Sequence, residues 1–206
     1  MRKWIAVAVV LLSVAGVAAF LWARGGADTP RPATLRSENS TAHYGPIATR
    51  AADPDPLTVA EIFPAGAVTA GGTTLTGQGA EALTDCAAEV WGSAEAAVAG
   101  CTQALRARYT TRDGRVFGQF VIFNLADAAA SDRLVAALGS GGFVRQVPGA
   151  PAAFDASRSW AQARALGHYV TVSWVGPVGT GGRVDLTYPQ LAVDGLSLAI
   201  QRRLVR

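Results

Sequence analysis

Residues 84–125, TDCAAEVWGSAEAAVAGCTQALRARYTTRDGRVFGQFVIFNL, decide the fold that we expect for this chain. The first half of the stretch predicts two short helices, over 85–91 and 94–99, each preceded by a capping hydroxyl and followed by a glycine. Two such helices can fold back on each other, which would bring Cys86 beside Cys101. The sequence therefore predicts one disulfide across the open end of a helical hairpin, and the alternative is two buried thiols.

The second half of this stretch predicts a β-hairpin followed by a helix. Residues 104–111 alternate between apolar and polar side chains, which is typical of a half-buried strand. Asp113-Gly114 is a strong turn signal, and residues 116–125 are apolar on both faces, as in a strand at the middle of a sheet. An amphipathic helix that ends near Leu138 completes this unit.

The remainder of the chain repeats the same order more loosely. Strands are predicted over 143–147, 160–165 and 168–175, and a closing helix runs to about Leu204. The sequence thus predicts an α+β domain with an antiparallel sheet that is built from two hairpin-then-helix units. We expect the helices to pack on one face of this sheet.

Residues 4–22 contain no charged side chain, and as a helix they would span about 28 Å, close to the hydrocarbon thickness of a bilayer. Trp4 and Trp22 stand at the ends, where aromatic side chains prefer the headgroup level, and two basic residues precede the segment. We expect residues 1–23 to form a transmembrane helix in the lipid bilayer, with a cytoplasmic N-terminus and residues 24–206 extracytoplasmic. The alternative is a signal peptide whose cleavage would release a secreted protein.

Residues 24–56 contain several prolines, mixed charges and no apolar period, which predicts a flexible tether ahead of a domain over 57–206. The formal net charge of the chain is +3, and the N-terminal basic pair supplies two of these charges. The domain therefore lacks the basic stripe that nucleic acid requires, and we expect no nucleic-acid partner. A disulfide needs an oxidising compartment, which agrees with an extracytoplasmic domain.

The sequence contains no motif that predicts catalysis, a metal site or a cofactor. His43 lies in the predicted tether, and His168 heads a predicted strand, where a structural histidine is the more frequent finding. The chain has no G-x-S-x-G elbow, and its two cysteines are explained by each other rather than by a metal. Carboxylates distant in sequence can still converge, as in glycosidases, so a cell-envelope hydrolase is the alternative to a non-enzymatic binding domain.

A small set of arginine and aromatic side chains is the predicted binding surface for a protein or cell-envelope ligand. Its members are Arg106, Arg108, Arg164, Trp160 and His168. Arg106 and Arg108 share the polar face of the strand predicted over 104–111 and could contact an anionic partner. Trp160 could line a ligand cleft. The alternatives are a solvated sheet face for the arginines and a core position for the aromatic side chain.

Residues 84–92, 100–107 and 118–125, together with the Gly-His-Tyr triplet at 167–169, resemble an uncharacterised family of single-pass actinobacterial membrane proteins. The resemblance covers roughly residues 57–175 and implies an exported, disulfide-bearing domain without a known activity. More remotely, a tethered outer domain with a disulfide is similar to the extracytoplasmic sensor domains of mycobacterial Ser/Thr kinases, which implies a sensor-like role. Because three residues precede the predicted anchor, we expect no attached kinase.

Overall fold

A computed structural model describes residues 29–63 and 66–205, which form a mixed α+β fold around a large sheet. The described strands are β1 (Thr34–Glu38), β2 (Ala67–Ala70), β3 (Thr73–Leu83), β4 (Val90–Gly92), β5 (Gln103–Thr111), β6 (Val116–Asn124), β7 (Gly142–Val144), β8 (Trp160–Leu166) and β9 (Tyr169–Pro177). Seven of them form one sheet in the order β1-β8-β9-β6-β5-β3-β2. The β1–β8 pair is parallel, the other pairs are antiparallel, and β4 and β7 form a separate two-stranded sheet.

The α-helices of the described residues range from 4 to 12 residues in length. The described α-helices are α1 (Val59–Ile62), α2 (Ser93–Ala97), α3 (Ala128–Gly139) and α4 (Thr187–Asp194). Segments of 3-10 helix cover Ala42–Ile47, Ala87–Glu89, Ala156–Arg158 and Gly195–Val205. The predicted closing helix is therefore α4 continued by a 3-10 segment.

The two hairpins that the sequence predicts meet at the centre of the sheet. β5 and β6 pair around a turn that contains Gly114, and β8 and β9 pair around Gly167, whose φ of 66° favours glycine. α3 follows the first hairpin, with the Asp127 carboxylate accepting a hydrogen bond from the N–H of Ala130, and α4 follows the second hairpin. β6 pairs with β9 along its whole length and is buried throughout, as expected for a central strand.

The helices cover both faces of the sheet, which corrects the expectation that they pack on one. On one face Val121 and Phe123 of β6 pack in a core with α2 and α3. On the other face Phe120 and Ile122 pack in a core with α1, α4 and the C-terminal 3-10 segment. The physical reason is that β6 and β9 are apolar on both sides, so each face needs its own cover.

Cys86 and Cys101 form the predicted disulfide, with their Cα atoms 6.2 Å apart. The expected helix over 85–91 is wrong, because this segment is a turn of 3-10 helix followed by β4. Its valine and tryptophan favour the extended backbone of a strand. The disulfide therefore braces a turn, a strand and α2 rather than a helical hairpin.

A close backbone approach at Gly92 holds β4 against β7. Gly92 has a φ of 65°, and a Cβ atom there would lie 2.3 Å from the carbonyl oxygen of Gly141. The strand predicted over 143–147 is observed as the three-residue β7, which pairs with β4 instead of joining the large sheet. This small sheet lies beside α2 and α3.

Residues 29–56 fold onto the domain instead of forming the expected tether. β1 adds to the edge of the sheet beside β8, and the side chain of Ile47 is 1% exposed in the core. The sequence shows no apolar period here, because Leu35 is the one partly buried residue of β1 and apolar residues such as Ile47 enter the core singly. The folded domain thus includes residues 29–56 as well as the predicted region from 57.

Arg203 connects residues 29–56 to the C-terminal part of the chain through buried hydrogen bonds. The side chain is buried and donates hydrogen bonds to carboxylate oxygens of Asp53 at 3.0 Å and Glu61 at 2.6 Å. It also donates to the hydroxyl of Tyr169 at 2.9 Å, and that hydroxyl donates to Asp53 at 2.8 Å. Burial alone would lower the pKa of Arg203, but the hydrogen bond to Glu61 and the neighbouring charges raise it, so the guanidinium stays charged.

Within residues 29–63 and 66–205, no helix is both long and apolar enough to cross a bilayer. The anchor predicted over 1–23 lies outside the described residues, as does the start of the predicted tether.

Candidate functional site

A groove opens between the β1–β8 edge of the sheet and α4, and we call it the Trp160 groove. Its volume is about 440 Å³. A second cavity of about 730 Å³ adjoins it and shares Trp160 and Thr187 with it. Trp160 therefore stands between two open spaces at one end of the sheet.

Strand alternation places the groove side chains on one face. Along β8, Trp160, Gln162 and Arg164 face α4, whereas the alanines between them enter the core of the opposite face. β1 pairs with β8 in parallel register, so Arg36 lies opposite Gln162 and Glu38 opposite Arg164. Two strands and one helix thus present a continuous row of side chains to the groove.

The rim of the groove is apolar and exposed. The Trp160 residue is 41% exposed and Leu191 of α4 is 56% exposed, although both are large hydrophobic residues. Tryptophan is among the residue types that contribute most to binding energy at protein interfaces. An exposed aromatic and an exposed leucine beside one cavity are typical of a binding surface.

The floor of the groove is a hydrogen-bonded polar network. Arg164 bridges Asp194 at 2.9 Å and Glu38, and Gln162 donates to Glu38 at 2.7 Å. Ser173 of β9 donates to Asp194 at 3.1 Å. The network joins the edge strand, the sheet and α4, so it fixes the shape of the groove.

Two polar atoms beside this network have no hydrogen-bond partner among the described residues. They are Oε1 of Gln190 and Oγ1 of Thr171, and both are buried. Gln190 uses its amide N–H to donate to Ser173 at 2.8 Å, so its oxygen is the acceptor left over. Buried polar atoms are usually paired, and an unpaired one is a feature that a structure must account for.

The geometry suits binding better than acid–base catalysis. The guanidinium of Arg164 lies between Glu38 and Asp194 and pairs with both, which is the arrangement of a structural ion-pair network. Ser173 is fully buried and donates to a carboxylate, not to a histidine that could activate it. Over the described ranges, no three His, Cys, Asp or Glu side chains come together to hold a metal ion.

The structure brings together two of the five residues in the predicted binding surface, Trp160 and Arg164. Arg106 and Arg108 lie on the opposite face of the sheet, on β5, and β6 and β9 separate that strand from β8. Arg106 forms ion pairs with Glu81 and the buried Glu89. Arg108 donates to backbone carbonyls, so both arginines bridge neighbouring segments.

His168 is a buried structural residue outside the groove. It is 0% exposed, and its Nδ1 lies 2.8 Å from the carbonyl oxygen of Ile47. Because a carbonyl can only accept, Nδ1 carries the proton and the buried Nε2 is left without a partner among the described residues. Burial lowers the pKa of His168, so the imidazole is neutral in the folded chain.

Sequence reasoning missed the walls of the groove contributed by β1 and α4. Arg36 and Glu38 lie in the segment that the sequence predicts as a tether, and no sequence pattern marks Leu191 of α4 as a groove residue. One signal was available: Gln162 and Arg164 occupy alternate positions in a strand, and the residues next to them are alanines. A polar row on one face of a buried strand indicates either a buried network or a site.

Comparison with family models, characterised proteins and solved structures finds no match to this chain. The resemblances to a family of actinobacterial membrane proteins and to kinase sensor domains therefore stay predictions. The function has to be inferred from the groove and from the sequence ahead of the domain.

Proposed function

We propose that this chain is a membrane-tethered, extracytoplasmic binding domain without enzymatic activity, and that its ligand occupies the Trp160 groove. The observation that carries the proposal is the exposure of Trp160 and Leu191 on opposite walls of one groove. Exposed apolar side chains that lie together on one surface are characteristic of a site that a partner covers. Both groove carboxylates pair with Arg164, which favours a structural role for them over a role in the hydrolase alternative.

Two features support a location outside the cytoplasm. The disulfide between Cys86 and Cys101 persists in an oxidising compartment. Residues 4–22 are long and apolar enough to serve as a transmembrane anchor. A secreted form, released by cleavage of the same segment, is the alternative that keeps the disulfide.

The proposed anchor would hold the domain close to the bilayer. Because folded structure is described from residue 29, only residues 23–28 separate it from the apolar segment. Even fully extended, such a connection spans at most about 25 Å. We therefore expect a ligand in the cell envelope near the membrane surface, or a neighbouring membrane protein.

Site-specific photocrosslinking in intact cells tests the binding proposal. A photoreactive phenylalanine analogue replaces Trp160 in the full chain, and the matched control carries it at Arg133, which is exposed on α3 across the sheet. We expect a discrete adduct from position 160 and none from position 133. Equal labelling from both positions, or no adduct from position 160, contradicts the proposal.

Protease added to intact spheroplasts tests the location. Digestion of the domain is expected if residues 29–205 lie outside the membrane, and an intact cytoplasmic protein serves as the control. Complete protection of the domain, with digestion only after lysis, would refute the extracytoplasmic placement.

A further inference from the structure

Among the described residues, β1 is the last strand at one edge of the sheet, and no described strand pairs with its outer side. Thr34 donates its N–H to the carbonyl oxygen of Ser159 at 3.3 Å, and in a parallel ladder alternate residues face the neighbouring strand. Leu35 and Ser37 therefore turn their backbone N–H and C=O groups away from β8, and no described residue bonds to them there. An edge of this kind is a template for another extended chain.

The side chains of β1 indicate the charge of a segment that fits this edge. Glu38 is already engaged by Arg164 and Gln162. Arg36 is exposed and has no ion-pair or hydrogen-bond partner for its side chain in the described part of the chain. An acidic side chain on a neighbouring strand would lie directly beside Arg36 and neutralise it.

The same edge borders the Trp160 groove. Thr34, Arg36 and Glu38 all line the groove, so every second side chain of a strand paired with β1 would reach its rim. Trp160 and Leu191 offer apolar contacts at that rim. One extended segment could therefore use both the backbone edge and the groove.

A second copy of this chain fits the edge less well than a different protein. If two β1 strands paired antiparallel over their full length, the central Arg36 of each copy would lie opposite the other. Like charges directly opposite each other destabilise a strand pair.

We propose that an extended polypeptide segment of a partner protein adds to the sheet alongside β1, with an acidic side chain beside Arg36. This inference rests on the proposed function, because it names the ligand class of the same groove. Main-chain hydrogen bonds to Leu35 and Ser37 supply affinity in this mode of recognition, and the groove side chains supply specificity.

The first test measures peptide binding to the full chain in lipid nanodiscs by fluorescence anisotropy. The probe is a dye-labelled heptapeptide in which valine alternates with glutamate. Two further versions carry N-methyl groups on the valine amides or on the glutamate amides, so the methyl groups face β1 in one version and point away from it in the other. We expect saturable binding of the parent peptide and binding at least roughly tenfold weaker for one methylated version, because a carbonyl of β1 loses its donor.

Two results with these peptides would overturn the proposal. Equal binding of all three peptides would mean that the peptide binds elsewhere, or that it binds through its side chains alone. Absence of saturable binding up to about 1 mM would also overturn the proposal.

A pair of variants moves the test to the protein. S37P removes the outward N–H at a position where an edge strand tolerates proline, and S37A is the matched comparison that keeps this donor. We expect S37P to bind the peptide at least roughly tenfold more weakly than S37A, with equal melting temperatures for the two variants. Equal binding by the two variants overturns strand addition, as does a dimer of the chain that S37P abolishes.

These outcomes separate the two proposals. If position 160 still crosslinks a ligand in cells while S37P and S37A behave alike, the groove binds its ligand and strand addition is wrong. If position 160 yields no adduct, the proposed function itself fails.

Discussion

Replacement of Arg203 by methionine should sharply destabilise the fold. The Arg203 side chain is 1% exposed, and its carboxylate partners Asp53 and Glu61 have side chains only 9% and 13% exposed. Methionine has a similar length and keeps the apolar contacts of the stem, so the change mainly removes the charge and the hydrogen bonds. Two carboxylates would be left in a poorly solvated site without their cation.

The size of the effect follows from that burial. Removing one partner of a buried ion pair costs about 3–5 kcal/mol, because the remaining charge is uncompensated. A domain of this kind is stable by about 5–15 kcal/mol in total, so the variant would lose a large share of its stability. The hydrogen bond from the Tyr169 hydroxyl to Asp53 would remain. We therefore expect the loss of unfolding free energy to stay within this range and not to exceed it.

Equilibrium unfolding in urea, followed by tryptophan fluorescence, measures this loss. Arg202→Met is the matched control, since that neighbouring arginine is exposed and donates one hydrogen bond, to the backbone carbonyl of Glu61 at 3.2 Å. We expect the control to change the free energy of unfolding by less than about 1 kcal/mol. A loss below about 1 kcal/mol for Arg203→Met as well would refute the claim that this arginine holds residues 29–56 against the C-terminal part of the chain.

Three further changes should be measurable by the same unfolding assay. Reduction of the Cys86–Cys101 disulfide should lower the free energy of unfolding by about 3 kcal/mol, and an unchanged midpoint in reductant would contradict this. The lowered pKa of His168 should make stability fall as the pH drops below about 6.5, because the unfolded chain takes up the proton first, and His168→Asn should remove this part of the pH dependence. Asp127→Ala should cost about 1 kcal/mol by removing the cap of α3, and a loss under a few tenths would show that the cap is dispensable.

Strong local patterns in the sequence predicted the centre of the fold. β6 is apolar on both faces, which places it between other strands, and the turn glycines Gly114 and Gly167 mark the two hairpins. The predicted disulfide is confirmed although the helical hairpin that it assumed is wrong, because Cys86 and Cys101 are close in sequence and a turn, β4 and α2 also bring them together. The expected helix over 85–91 was wrong because contact with β7, distant in sequence, decides the backbone of β4.

The periphery of the fold and the groove depend on contacts that local patterns do not encode. β1 is an edge strand with one partly buried side chain, so residues 29–56 carry almost no periodic signal. The groove joins Glu38, Arg164 and Asp194, which are brought together by a parallel pairing and by the packing of α4. Trp160 and Arg164 were predictable as single residues of a strand, but their partners were not.

Amide hydrogen exchange along β1 tests most directly whether this segment completes the sheet and leaves an open edge. Site-resolved exchange on the full chain should show slow exchange at Arg36 and Glu38, whose N–H groups face β8, and fast exchange at Leu35 and Ser37, whose N–H groups face outward. Uniformly fast exchange from residue 34 to residue 38 would contradict both the folded segment and the groove that it builds.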